Sequence, residues 1–184
     1  MALSKIRRYE FRRYLPHLQR GCAPIFVSMS TRARWTLPPA ARDIVLESIL
    51  REDRVRIDLL AAIVMPDHVH MLFCPREDLR SGIFSLSEIM NGVRSPSAHR
   101  INRLLGRKGP VWNEEFFDHL PRFGELDQEL AYICENPVKA GLVQNEEDYA
   151  WLWVEPTLLP AEGGRARDTT DGSAIDDGDR GNSK

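Results

Sequence analysis

Residues 55 to 73 hold two alternating apolar runs joined by Met65-Pro66-Asp67, and few folds are open to a chain with that pattern. Val55, Ile57, Leu59, Ala61 and Ile63 recur at every second position, interleaved at first with Arg56 and Asp58; Val69, Met71 and Phe73 do the same after the turn. A period of two is the signature of a strand. So tight a connection lays the two strands side by side and antiparallel. His68 and His70 project from the second strand on the face opposite Val69 and Met71, because side chains alternate. Two imidazoles side by side on a strand can hold a metal ion. They can equally be hydrogen-bonding groups in a core, and the pair alone does not separate these readings.

The remaining elements follow from local patterns. Ala23 to Ser30 reads as a first strand, with Ile25, Val27 and Met29 alternating against Ser28 and Ser30. Pro38-Pro39 marks a helix start, and Ala41, Ile44, Val45 and Ile49 carry helical spacing to about Glu52. Ser85-x-x-Glu88 has the form of a capping box opening a second helix, in which Pro96 predicts a kink or a break into two. Val111 to Phe117 is expected as a short fourth strand. Glu125 to Glu135 reads as a third helix that Pro137 ends at or near Asn136. The order β-α-β-β-α-β predicts an α+β, ferredoxin-like fold. It has an antiparallel four-stranded sheet with two helices on one face, an added C-terminal helix, and the other face left free for a site.

Charge is distributed unevenly over the 184 residues, although the net value is only -2. Residues 1–21 form a basic arm carrying Lys5, Arg7, Arg8, Arg12, Arg13 and Arg20, with Tyr9, Phe11 and Tyr14 interleaved. Residues 160–184 are polar and acidic with almost no apolar side chains, the composition of a disordered tail. The domain expected between them spans 22–159. The arm suits a nucleic-acid clamp, arginines on phosphates and aromatics on bases, or simply a solvated extension. Cys22, Cys74 and Cys134 show neither zinc spacing nor a disulfide framework. With no signal peptide or membrane span in view, a cytoplasmic location is expected.

Tyr132 and Asn136 lie four residues apart on one face of the third helix, which Gln128 and Glu125 extend; Leu126, Leu130, Ile133 and Cys134 make the apolar side. The string Tyr132 to Val143 (YICENPVKAGLV), together with Met65-Pro66-Asp67-His68-Val69-His70, resembles the REP-associated tyrosine transposases. These belong to the single-tyrosine transposase superfamily with a His-hydrophobe-His (HUH) motif. Arg12 to Pro16, Ile101-Asn102, Gly109 to Asn113 and Phe116 to Asp118 carry the resemblance further, over roughly residues 12 to 153. Asn91-Gly92-Val93-Arg94 departs from it, standing where relatives commonly carry a lysine.

The resemblance implies that His68 and His70 bind a divalent cation, Mg²⁺ or Mn²⁺, that Tyr132 is the nucleophile, and that Asn136 offers an amide oxygen as a third ligand. It implies a metal-dependent single-stranded DNA endonuclease and strand transferase that forms a covalent 5′-phosphotyrosine at hairpin-forming repeats. The alternatives are a domesticated hairpin-binding protein without productive cleavage, and a phosphodiesterase that uses a metal-bound water and has no need of Tyr132. Arg7, Arg8, Arg12, Arg13, Arg107 and Lys108 are the candidate phosphate contacts, although the loop at 106–110 also reads as a plain solvated turn. The expected partner is single-stranded or hairpin DNA, with no membrane, and the chain acts as a monomer or homodimer. His99 and His119 have no partner at comparable spacing, and surface or capping roles are expected for both.

Overall fold

A computed structural model of the chain describes residues 23–78, 82–122 and 124–158. The basic arm with Arg7, Arg8, Arg12 and Arg13, together with Cys22 and the acidic tail, lies outside the described residues.

Five strands form one antiparallel sheet: β1 (Ile25–Ser30), β2 (Ile57–Val64), β3 (His68–Pro75), β4 (Phe117–His119) and β5 (Leu152–Val154). Their order is β4-β1-β3-β2-β5. The first four positions are the ferredoxin-like arrangement expected from the sequence; β5 adds a strand beyond it at the β2 edge. Helices α1 (Pro39–Leu50) and α2 (Leu86–Leu104) cover one face, where Val27, Met29, Ile57, Leu59, Val69, Met71 and Phe73 meet Val45, Ile49, Ile89, Met90 and Val93. Each fully buried side chain of this size stabilises the fold by about 1.5–3 kcal/mol. Helix α3 (Leu126–Lys139) lies on the opposite face, where its Leu130, Ile133 and Cys134 pack on Phe26, Leu60, Ala61, Ile63 and Leu72. The histidine strand β3 is therefore the middle of the sheet, clamped between two cores. Among the described residues no helix is long and apolar enough to cross a membrane.

Several local expectations are corrected. Val55 is 59% exposed and precedes β2. A bulge between Leu59 and Ala61 then shifts the register, so Ile57 and Leu59 face α1 and α2 while Ala61 and Ile63 face α3. The alternation from 55 to 63 thus does not mark a single face. Val111 and Trp112 are not part of the fourth strand. They are buried in the α1/α2 core, held by Arg32 N–H donating to the Val111 carbonyl (2.8 Å) and Trp112 Nε1–H donating to Ser97 Oγ (3.1 Å). Asn113 N–H donates to the Ser30 carbonyl at 3.0 Å, but the regular ladder with β1 starts only after Glu114 and Glu115, at Phe117.

Neither proline ends its helix. Pro96 lies inside an unbroken α2, opened by the capping box of Ser85 and Glu88 that the sequence predicts. Burial of Val93, Ser97 and Ile101 on one stripe outweighs the single hydrogen bond that the proline forgoes. Pro137 lies inside α3, which runs on to Lys139. There the stop signal is Gly141, at φ 69°. Its N–H donates to the Val138 carbonyl, and Leu142 N–H donates to the Pro137 carbonyl, which closes the last turn in a Schellman motif.

Candidate metal and nucleophile site

Across β1, β3 and β4 the register sets side chains in rows. Phe117 pairs with Ser28 and Ser28 with His70, while Ser30 pairs with His68 and His119 with Phe26. Cross-strand partners share a face, so both histidines stand on the α3 side of the sheet. Their ring centroids are 4.8 Å apart. The alternation that buries Val69 and Met71 against α1 and α2 therefore presents both imidazoles to the other side.

The two rings differ in their surroundings. His68 Nδ1 is 2.6 Å from Asp67 Oδ1. An ionised carboxylate only accepts, so Nδ1 carries the proton and Nε2 is the ring nitrogen left to face a cation. Asp67 is in turn 3.3 Å from Arg34 Nη1. Burial raises the Asp67 carboxyl, but the hydrogen bond and charge of His68, with the charge of Arg34, outweigh it and hold the pKa below 3.8. Asp67 therefore does more than sit in the connection between β2 and β3. His70 is 5% exposed, and neither of its ring nitrogens has a hydrogen-bond partner among the described residues. Burial, then the charges of His68 and Arg34, depress its pKa to about 4, so the ring is neutral near pH 7. A buried nitrogen without a partner is costly. A cation bound at His68 and His70 would give it one, and the donor set fits a divalent ion.

Tyr132 comes from α3, 42% exposed, with its ring centroid 5.2 Å from that of His70 in the same chain. The apolar side of α3 anchors it there, seating Leu130, Ile133 and Cys134 on the sheet and leaving Tyr132 at the open edge. Asn136 stands one turn on, its amide Nδ2 donating to the Tyr132 carbonyl at 3.2 Å. Among the described residues no third His, Cys, Asp or Glu completes a metal cluster.

Tyr132 and the histidines open onto a cleft of about 780 Å³. Ser28 and Ser30 line its sheet side, Arg32 and Arg34 one end, and the segment from Asn113 to Phe117 the far wall. The two arginines arrive through a constrained turn in which Ala33 and Arg34, neither a glycine, sit at φ 54° and 55°. Thr31, fully buried, fixes that turn by donating its N–H to the Asp67 carbonyl (2.9 Å) and its hydroxyl to the Trp35 carbonyl (2.7 Å). The far wall is held by Arg94, whose guanidinium donates to the carbonyls of Asn113 and Glu114, and by Asn113 Nδ2 donating to Ser30 Oγ at 2.8 Å.

Of the residues picked from sequence, His68, His70 and Tyr132 are brought together. Arg107 and Lys108 are not among the cleft residues: Arg107 packs over the Trp35 ring at 4.1 Å and donates to the Pro110 carbonyl, and Lys108 is exposed. Arg32, Arg34, Ser28, Ser30 and Phe117 escaped the sequence reading. Each is an ordinary residue until the sheet aligns it, although the basic Arg32-Ala33-Arg34 just after a strand was a usable signal. His119 is a correction. It has a partner, its Nε2 lying 2.8 Å from Glu129 Oε1 on α3, and its ring lies 5.0 Å from that of Phe26. His99 is exposed on α2.

The family of IS200-like transposases matches residues 39–128, a span that includes both histidines and stops short of Tyr132. The Haemophilus influenzae "Putative REP-associated tyrosine transposase" is 28% identical over 100 residues, 51% of this chain and 57% of that protein. The chain thus spans little more than half the length of that curated relative. Among solved structures, a REP-associated tyrosine transposase bound to a REP hairpin shares the fold, with a TM-score of 0.57 at 21% identity over 91% of this chain and 99% of that one. In sequence the chain is similar to the IS200-like transposases over residues 39–128 and to a REP-associated tyrosine transposase over 100 residues, and it shares the fold of a solved member of the latter group.

Proposed function

We propose that this protein is a transposase-type, metal-dependent endonuclease and strand transferase for single-stranded DNA at hairpin-forming repeats. The observation that carries the reading is the 5.2 Å between the Tyr132 and His70 rings, within one chain, in a cleft with arginines at its end. The hairpin held by the structurally similar REP-associated transposase supports the choice of substrate.

His68 and His70 would hold the cation, with Asn136 as the candidate third ligand; two imidazoles favour Mn²⁺ over a purely oxygen-seeking ion. When bound, the metal supplies charge stabilisation at the phosphate. The protein's own groups do the rest. Asp67 fixes the His68 tautomer and ring orientation. Arg32 and Arg34 attract the DNA backbone. The Tyr132 hydroxyl attacks phosphorus and loses its proton as the P–O3′ bond breaks, and the departing 3′ oxygen becomes a free 3′-OH. One phosphodiester bond is exchanged for another, so a later attack by a 3′-OH can rejoin the strand without ATP. Because α3 packs on its own sheet, Tyr132 acts in cis in this reading.

The test is a denaturing gel of the full chain incubated with labelled hairpin DNA and Mn²⁺. A covalent adduct is expected that vanishes in Tyr132→Phe and with chelator. Cleavage that survives in Tyr132→Phe would replace the tyrosine with a water nucleophile. Binding with no cleavage under any metal would leave a hairpin-binding protein.

A further inference from the structure

The proposed reaction uses one wall of the cleft and leaves the other, strand β4, without a task. Phe117 on that strand is 62% exposed and lines the cleft, whereas phenylalanine is ordinarily among the most buried residue types. Its neighbour Phe116 packs against the α1/α2 core. The row Phe117–Ser28–His70 puts the phenyl ring two strands from the buried imidazole on the same sheet face, roughly 9–10 Å at ordinary strand spacing. Serine stands between them, and Ser30 occupies the next position along β1 beside His68. Two small polar residues therefore make a trough with the histidines along one side and an aromatic ring on the other. Arg32 and Arg34 line the same cleft. The His119 ring, 5.6 Å from that of Phe117, backs the phenyl group from within the strand.

We infer that Phe117 is a stacking platform for a nucleobase of the bound single strand. The base lies next to the phosphate held at His68 and His70, and the trough over Ser28 carries the intervening sugar and backbone. This rests on the reading of Tyr132, His68 and His70 as the strand-cleaving site. A flat exposed ring beside cations is the recurring device for gripping single-stranded nucleic acid, and stacking accepts any base because each has a π face. Phe117 therefore sets where the strand lies rather than which letter it carries, and the trough excludes a duplex, whose bases are already stacked on each other.

The experiment uses the full chain carrying Tyr132→Phe, so that binding is observed without cleavage, and hairpin DNA with 2-aminopurine moved one position at a time along its unpaired strand. One position is expected to show fluorescence quenching on binding. Quenching there disappears in Phe117→Ala and Phe117→Leu and is kept in Phe117→Trp. Affinity falls roughly ten-fold in the alanine and leucine variants. An abasic site at that position produces the same loss and makes Phe117→Ala silent. Quenching unchanged by Phe117→Ala, or losses from the abasic site and the alanine variant that simply add, would overturn the assignment. Adduct formation with Tyr132 intact is scored separately. No adduct there with stacking present refutes the reaction, normal adduct with no Phe117-dependent quenching refutes the platform, and failure of the chain to bind single-stranded DNA refutes both.

Discussion

Removing the Asp67 side chain tests whether the imidazole pair is arranged for a cation. Asp67 Oδ1 receives His68 Nδ1–H at 2.6 Å, while its other oxygen meets Arg34 at 3.3 Å. Asp67→Ala abolishes both contacts and frees the His68 ring to rotate. The backbone is left in place, because the Asp67 carbonyl still accepts from Thr31 N–H. Loss of a carboxylate behind a ligating histidine costs about 10- to 100-fold in metal affinity, or roughly 1.4–2.7 kcal/mol. Asp67→Asn keeps an acceptor but loses its charge. A charge-assisted hydrogen bond is about twice as strong as a neutral one, so roughly half of that free energy, a three- to ten-fold weakening, is expected. The assay is a Mn²⁺ titration of the full chain, reading free Mn²⁺ by electron paramagnetic resonance, with thermal melting to show that each variant is folded. The expected order of affinity is wild type, Asp67→Asn, Asp67→Ala and then His70→Ala, the last without measurable binding. Wild-type affinity in a folded Asp67→Ala would refute the argument that Asp67 prepares His68 as a ligand.

Other outcomes follow from the same geometry. Glu129 lies one turn before Tyr132 and ties α3 to β4 through His119 at 2.8 Å. His119→Ala should therefore slow adduct formation on the order of 10- to 100-fold by misplacing Tyr132, a larger effect than the accompanying fall in DNA affinity read by a parallel anisotropy titration. A Cβ on Gly92 would stand 2.5 Å from Glu52 Oε1 and 2.7 Å from Arg56 Nη1. Alanine gains about 1 kcal/mol of helix propensity but displaces a buried carboxylate from its cation, so Gly92→Ala should lose about 1–2 kcal/mol net by urea denaturation. Burial raises the Tyr149 pKa above 10.0, more than the Arg42 contact lowers it. The neutral phenol is thus favoured in the fold. Its contribution is complete below pH 10 and is lost as pH climbs towards the folded value. Tyr149→Phe, which strands the Val64 carbonyl that the hydroxyl reaches at 2.9 Å, should cost about 1 kcal/mol at pH 8 and flatten the alkaline loss, as read from urea midpoints at pH 8 and above pH 10.

Much of this protein was legible locally. The alternation in Ile25–Ser30 and in His68–Pro75 sets which side chains share a face, and Ser85 with Glu88 sets where α2 begins, because these depend on neighbours within a few residues. Local rules failed where packing outbid them. Pro96 and Pro137 each remove one N–H, a small loss beside the apolar stripe that holds each helix against the sheet. The bulge at Leu59/Ala61 is equally silent in the sequence, since both faces of β2 are buried and an apolar residue suits either.

The candidate site divides in the same way. That His68 and His70 point together is a property of five or six consecutive residues, and the strand period determines it. That Tyr132 meets them, that Arg32 and Arg34 close one end of the cleft, that His119 finds Glu129, and that Phe117 faces His70 across Ser28 are decided by the order β4-β1-β3-β2-β5 and by α3 lying on that sheet. Periodicity encodes the side of its own element on which a residue lies. It carries no information on which elements come to face each other, and that choice is made by burial of the two cores together.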